Sequence, residues 1–280
     1  MNRALFEGAA FTSIPAPSAL RWGALPDFSA LLPLTALPIA DTELLHLSHY
    51  GVIAVHIPAD PMALPLVVLL THPEMSRAVP INGSGKWLPP YMPLALRALP
   101  FTPGYSGECL YSPSLVVTAG QASWRAEAAP GKPTAEFRAV LDLVQRIYGG
   151  ARRLADAARL LLAADVLVPI EPLDPESEAR FLVVQEERMA ALSPARAAAL
   201  TALGMLPMEL AAASLFSRRY LSRKIDTSIV RSEAVMRYSE FGNASAIEPL
   251  PTELSGDNFA LDTSTLFNID DFFAPTRPDE

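Results

Sequence analysis

A single cysteine, Cys109, stands in a chain of 280 residues. That excludes an intramolecular disulfide and any metal site built on a cysteine cluster. It suits a reducing, cytoplasmic setting and leaves export or cell-surface association open. Histidine is nearly as scarce, with only His46, His49, His56 and His72. No His-Glu-x-x-His pair occurs, so a metal held by His46 and His49 would need further ligands from elsewhere. Surface or partly buried histidines are the simpler expectation. Long apolar runs are missing as well. Among the longest uncharged stretches, Leu44 to Ala59 contains three histidines and a proline, and no membrane span is expected. A cleaved signal is not expected either, because Glu7 interrupts the first apolar residues and Pro15 and Pro17 follow.

An excess of positive charge is also absent. Residues 1–239 carry 21 basic and 21 acidic side chains, while residues 240–280 set Arg277 against nine acids. The whole net charge of −8 therefore sits in the tail. A neutral body with an acidic tail excludes nucleic acid as a main partner, since phosphate binding needs a cationic surface.

The common catalytic signatures are missing too. Asn82-Gly83-Ser84-Gly85-Lys86 looks like the end of a phosphate-binding loop, but Pro80 and Trp87 replace the required glycine and hydroxyl. A hairpin turn centred on Asn82-Gly83, with positive φ at both positions, is expected instead. No nucleophile elbow, dinucleotide fingerprint or calcium loop is found. Cys109 lies among expected strands with no base in view, which favours a buried structural thiol. No cofactor is implied.

Proline, in contrast, is abundant at 27 residues. Five prolines between Pro15 and Pro38 make residues 1–40 an extended lead segment laid across a core. Asp41 is placed to cap a short helix through His49. Gly51–Ile57 and Pro65–Leu70 read as buried strands, as do Glu108–Tyr111, Leu115–Thr118 and Phe181–Val184. Thr134 is placed to cap a helix that Gly149-Gly150 should stop at Tyr148, and a second helix follows over Ala151–Leu167. A short helix is expected over Pro194–Leu203 and a longer one over Pro207–Ile225. The last turns of that longer helix hold Arg218, Arg219, Arg223 and Lys224, where cations complement a helix C-terminus.

The tail mixes acids with large apolar residues. Phe267, Ile269, Asp270, Asp271, Phe272 and Phe273 form its densest part. Such a segment stays unfolded alone and orders against a surface. Its own body, with the Arg218, Arg219 and Arg223 cluster as the nearest basic surface, and a separate protein are both open as the partner.

Two stretches resemble a known family. Trp87, Tyr91, Pro93, Arg97 and Phe101 follow a "W…Y-x-P…L-R…P-F" signature. Glu187-Arg188-Met189-Ala190-Ala191-Leu192, after the strand at Phe181, is similar to a closing "E-E-R-L-x-x-L" link before a terminal helix. Both are features of the SapC family of bacterial proteins, and the resemblance spans roughly residues 40–225. It implies structural anchors at these positions and carries over no catalytic residue. It also implies a surface-layer or envelope context, near TonB-dependent receptors and halogenase-like enzymes. The peptide-transporter permease of the same name is excluded, because no spans exist.

These readings give an α+β fold. A β-rich N-terminal half packs with a helical C-terminal half, divided as residues 1–40, 41–227 and an acidic tail at 228–280. The expected function is a non-enzymatic accessory or binding protein linked to an envelope or peptide-handling system, with another protein or complex as partner. An enzyme of unrecognised type, metal-dependent or acting beside an oxygenase-like system, is one alternative. An exported surface-layer structural protein is another.

Overall fold

The computed structural model describes residues 11–14, 20–23, 25, 27–31, 35–60, 62–78, 80–115, 124–173, 180–202 and 204–225. Its strands are β1 (Thr12–Ser13), β2 (Arg21–Trp22), β3 (Ala36–Pro38), β4 (Ile53–Ile57), β5 (Leu66–Leu70), β6 (Phe101–Pro103) and β7 (Cys109–Tyr111). β8 (Trp124–Arg125), β9 (Glu127–Ala129), β10 (Lys132–Pro133), β11 (Leu167–Pro169) and β12 (Arg180–Val184) follow. The helices are α1 (Leu44–Ser48), α2 (Leu94–Ala98), α3 (Ala135–Ala163), α4 (Glu186–Ala190), α5 (Pro194–Thr201) and α6 (Leu206–Ser217). The fold is α+β.

The main sheet has the order β11-β12-β4-β5-β3, and every neighbouring pair is antiparallel. Every residue of β4 and β5 is buried, which is why both read as near-continuous apolar runs, with His56 the one polar residue, rather than alternating ones. Both edge strands are three residues long and end in proline, Pro38 and Pro169. Proline has no N–H to offer a further strand, so the edges are blunted. Helix α6 is fastened to the sheet by two buried serines. The Ile53 amide donates to Ser217 Oγ at 2.9 Å and the Val184 amide donates to Ser214 Oγ at 3.2 Å.

Helix α3 serves two cores. Its C-terminal half buries Leu154, Ala158 and Leu161 in the core of the main sheet. Its N-terminal half buries Phe137, Val144 and Ile147 in a second core with Trp22, Phe101 and Tyr111. That second core has an aromatic centre: Trp22 meets Phe101 edge-on at 5.3 Å and Phe137 at 5.7 Å between ring centroids. Thr134 caps α3 as expected, its hydroxyl accepting from the Phe137 amide at 3.2 Å.

Several expectations are corrected here. Gly149-Gly150 does not stop the helix; α3 runs through both. Gly150 is buried against the chain at Ala40, where a Cβ would sit 2.6 Å from the Ala40 Cβ. The glycine pair marks a close approach rather than a terminus. The helix expected over Pro207–Ile225 ends at Ser217, passes through a 3-10 turn at Arg218–Tyr220, and continues as isolated bridges from Leu221 to Ser76 and from Ile225 to Ile170. Thus Arg223 lies outside any helix. Asp41 is not a helix cap: Asp41–Glu43 is a 3-10 turn with Ala40 at its N-cap, and α1 follows. In the turn at 82–86 the positive φ falls on Gly85 (78°) rather than on Gly83. Leu115 ends a 3-10 turn, and residues 116–118 lie outside the described residues.

Candidate functional site

The site is built around a carboxylate. Glu43 lies near the end of the apolar stretch that leads into α1 and is 1% exposed. Its Oε2 accepts from the Ala40 amide at 3.1 Å. Its Oε1 accepts from the Leu94 amide at 2.6 Å and from the Tyr91 hydroxyl at 3.2 Å. Burial pushes the Glu43 pKa up, and these hydrogen bonds and the nearby Arg97 charge pull the other way. Glu43 therefore joins the turn before α1 to the start of α2, across about fifty residues of sequence.

Around this hub the five signature residues form one unit. The Trp87 indole N–H donates to the Tyr91 carbonyl at 2.8 Å. The Tyr91 ring stacks on His46 at 5.4 Å, and the Arg97 guanidinium lies 5.8 Å from the same ring centroid. Pro93 is the N-cap of α2, which carries Arg97. A cis Leu99-Pro100 bond then leads into Phe101, which is fully buried in the second core.

Trp87 and Arg97 of this unit line a cavity of ≈ 920 Å³. All three tryptophans of the chain, Trp22, Trp87 and Trp124, line it. Trp22 and Trp124 lie 6.1 Å apart between ring centroids. Leu96 and Leu99 contribute from the main core, and Ala98 from the second, so the cavity opens at the seam between the two. Seams of this kind are favoured places for ligand sites. The charged residues at the lining are Asp27, Lys86, Arg97 and Glu136, all exposed. Neither Trp22 nor Trp124 uses its indole N–H in a hydrogen bond among the described residues.

The rim next to Lys86 is tightly specified. Asn82 Oδ1 accepts from the Ser84 amide, the Ser84 hydroxyl and the Lys86 amide at 3.1, 2.7 and 2.9 Å. The Phe28 amide donates to the Gly85 carbonyl at 2.7 Å. A Cβ on Gly85 would meet the Ser29 amide nitrogen at 2.6 Å, so this approach needs glycine as well as its positive φ.

The other candidate residues lie elsewhere. Arg218 donates to the Val184 carbonyl at 3.4 Å. Arg219 covers the Phe216 ring at 3.9 Å and donates to the Tyr220 hydroxyl at 2.9 Å. Arg223 donates to the Pro172 carbonyl at 3.0 Å and pairs with Glu74 at 2.9 Å. All three border a shallow surface hollow with Phe216 and Leu221, and all three already hold partners within the fold. Phe267, Ile269, Asp270, Asp271, Phe272 and Phe273 lie outside the described residues. His46 and His49 pack on different rings, Tyr91 and Phe216, and no cluster of three or more metal-ligating side chains occurs among the described residues. Cys109 is half-buried rather than enclosed, and burial pushes its pKa up to about 12.

Glu43, Trp22 and Trp124 are the lining or hub residues that sequence reasoning missed. No local signal pointed to Glu43, which closes the polar triplet Asp41-Thr42-Glu43. No spacing rule connects it to Tyr91 or Leu94.

The SapC family model matches residues 18–223 of the chain. The chain belongs to the SapC family. The match begins upstream of the resemblance, which starts near residue 40, and so takes in Trp22, Phe28 and β3. All three cavity tryptophans and the Glu43 hub fall inside it. No curated protein and no solved structure matches the chain.

Proposed function

We propose that this SapC-family chain is a non-enzymatic binding protein and that the tryptophan-lined cavity is its ligand site. One observation carries the reading: all three tryptophans, the signature residue Trp87 among them, and the signature residue Arg97 converge on a single cavity at the seam of two cores. A volume near 920 Å³ lies within the usual range for small-molecule pockets. The test is binding of phenyl-naphthylamine, a flat neutral probe, followed by energy transfer from tryptophan. Saturable binding with one probe per chain is expected. Ala139→Phe places a ring on an exposed α3 position of the lining and should abolish binding without lowering the melting temperature. Binding unaffected by Ala139→Phe would reject the cavity as the site.

The accessory part of the reading rests on composition. The acidic, aromatic tail has the character of a docking segment, with Phe267, Ile269, Phe272 and Phe273 as its anchors and Asp270 and Asp271 setting its charge. A separate protein or complex, in an envelope or peptide-handling system, is the partner in this reading. Deleting residues 255–280 should abolish co-purification of that partner while leaving probe binding in the cavity intact. Co-purification that survives the deletion would sink it.

A further inference from the structure

We infer that the cavity selects a small, flat aromatic acid: an apolar ring system bearing one carboxylate, sulfonate or phosphate. The inference rests on the cavity being a ligand site and adds which chemistry it reads.

The walls favour a flat apolar body. Trp22, Trp87, Trp124, Phe28, Met92 and Leu96 give the lining aromatic faces and flexible apolar ends. The indole N–H groups of Trp22 and Trp124, without partners among the described residues, offer donors, and the ligand must bring the acceptors.

The sign of the ligand follows from how each charge at the rim is already used. The two acids are engaged within the fold. Asp27 Oδ1 accepts from the Ser29 amide at 2.9 Å, and the Ser29 hydrogen bonds hold the Asp27 pKa below the ordinary carboxylate range. Glu136 stands in the first turn of α3, where the positive end of a 29-residue helix complements it. The two cations are less engaged. Lys86 and Arg97 form no ion pair among the described residues. Arg97 rests over Tyr91, and the nearby Glu43 carboxylate is already committed to three donors. The lining carries two acids and two cations, none ion-paired among the described residues; with Asp27 held by Ser29 and Glu136 at a helix N-terminus, Lys86 and Arg97 are the charges left to meet a ligand, and they complement an anion. A cationic ligand would find the aromatic faces but would meet Lys86 and Arg97 as like charges.

Three fluorescent probes test this on the full chain. Anilinonaphthalene sulfonate and phenyl-naphthylamine share a ring system and differ by the sulfonate; thioflavin T is a flat cation. The sulfonate should bind about tenfold or more tighter than the neutral probe, and raising salt should narrow that gap. Lys86→Gln should reduce the preference several-fold. Arg97→Gln should bring sulfonate affinity down to that of the neutral probe. An unchanged far-UV circular dichroism spectrum and melting temperature serve as the control that the Arg97 variant is folded. Equal binding of the sulfonate and the neutral probe would overturn the anion assignment and leave the cavity reading standing. So would tighter binding of thioflavin T, or a preference indifferent to both substitutions. If none of the three probes binds saturably, the cavity reading itself fails.

Discussion

Gly150 of α3 and Ala40, just before the 3-10 turn, approach so closely that a Cβ on Gly150 would lie 2.6 Å from the Ala40 Cβ and 2.7 Å from Asp41 Oδ1. One turn further along, Arg153 clamps the same segment through Asp41, at 2.6 and 2.9 Å. This contact sets the distance between the long helix and the turn that carries Glu43.

We therefore predict opposite outcomes for two neighbouring glycines. Gly150→Ala should destabilise the protein by about 1–3 kcal/mol, because backbone or Ala40 must shift. Gly149→Ala meets only the far end of Arg153 at 3.6 Å and should stabilise by up to about 1 kcal/mol, the gain of alanine over glycine within a helix. Urea unfolding of the two variants checks this. Equal effects would show that Gly150 is not a close-approach residue.

Glu43→Ala is predicted to destabilise on the order of 3 kcal/mol, since three buried or half-buried donors lose their acceptor. Glu43→Gln keeps the volume and one carbonyl oxygen, and should cost less. The two also differ in pH response. The folded pKa of Glu43 is raised above 4.5, so the folded state holds this proton where the unfolded chain has lost it. Stability contributed by Glu43 is then greatest below 4.5 and declines as pH rises towards the raised value. Subtracting the Glu43→Gln stability profile from the wild type should expose that decline. A flat difference would contradict the raised pKa.

His56 carries the opposite sign. It is buried in β4 beside Phe181, its Nδ1 has no hydrogen-bond partner among the described residues, and burial lowers its pKa from 6.5 to about 4. The unfolded chain takes up this proton first, so the His56 contribution is complete above 6.5 and is lost as pH falls towards 4. The loss should reach a few kcal/mol. His56→Leu should flatten that part of the acid transition, measured by chemical unfolding at a series of pH values. Acid sensitivity unchanged in the variant would assign it to other groups.

Cys109, with its pKa pushed up to about 12, should react with iodoacetamide only slowly at neutral pH in the folded protein and fully in denaturant. Rapid alkylation of the native chain, followed by mass spectrometry, would show that the thiol is activated.

The secondary structure that sequence revealed is the part governed by local chemistry. β4 and β5 are largely β-branched and apolar runs, interrupted in β4 only by His56, Thr134 is a helix cap, and Pro194 opens α5. Sequence misled where a residue answers to a distant neighbour. Gly149-Gly150 carries a stop signal, yet α3 continues because two cores hold its two halves. The cations at 218–224 suit a helix end, yet the chain leaves the helix at Ser217 to bridge with Ser76 and Ile170. The signature residues were readable as anchors. Their meeting with Glu43, and with Trp22 and Trp124, depends on tertiary packing that no spacing encodes.

The pairing of β4 with β12 has a consequence for how this chain must be made. Residues 53–57 wait for residues 180–184, and both strands are then fastened by serines near residue 217. A nascent chain emerging from the ribosome therefore presents one flank of β4 unpaired until most of the described fold has been translated. The finished edges are closed by Pro38 and Pro169, but this interior flank has no proline to protect it. Fragments ending before residue 180 should accordingly be insoluble, and the chain's dependence on folding helpers should fall away once α6 has been released.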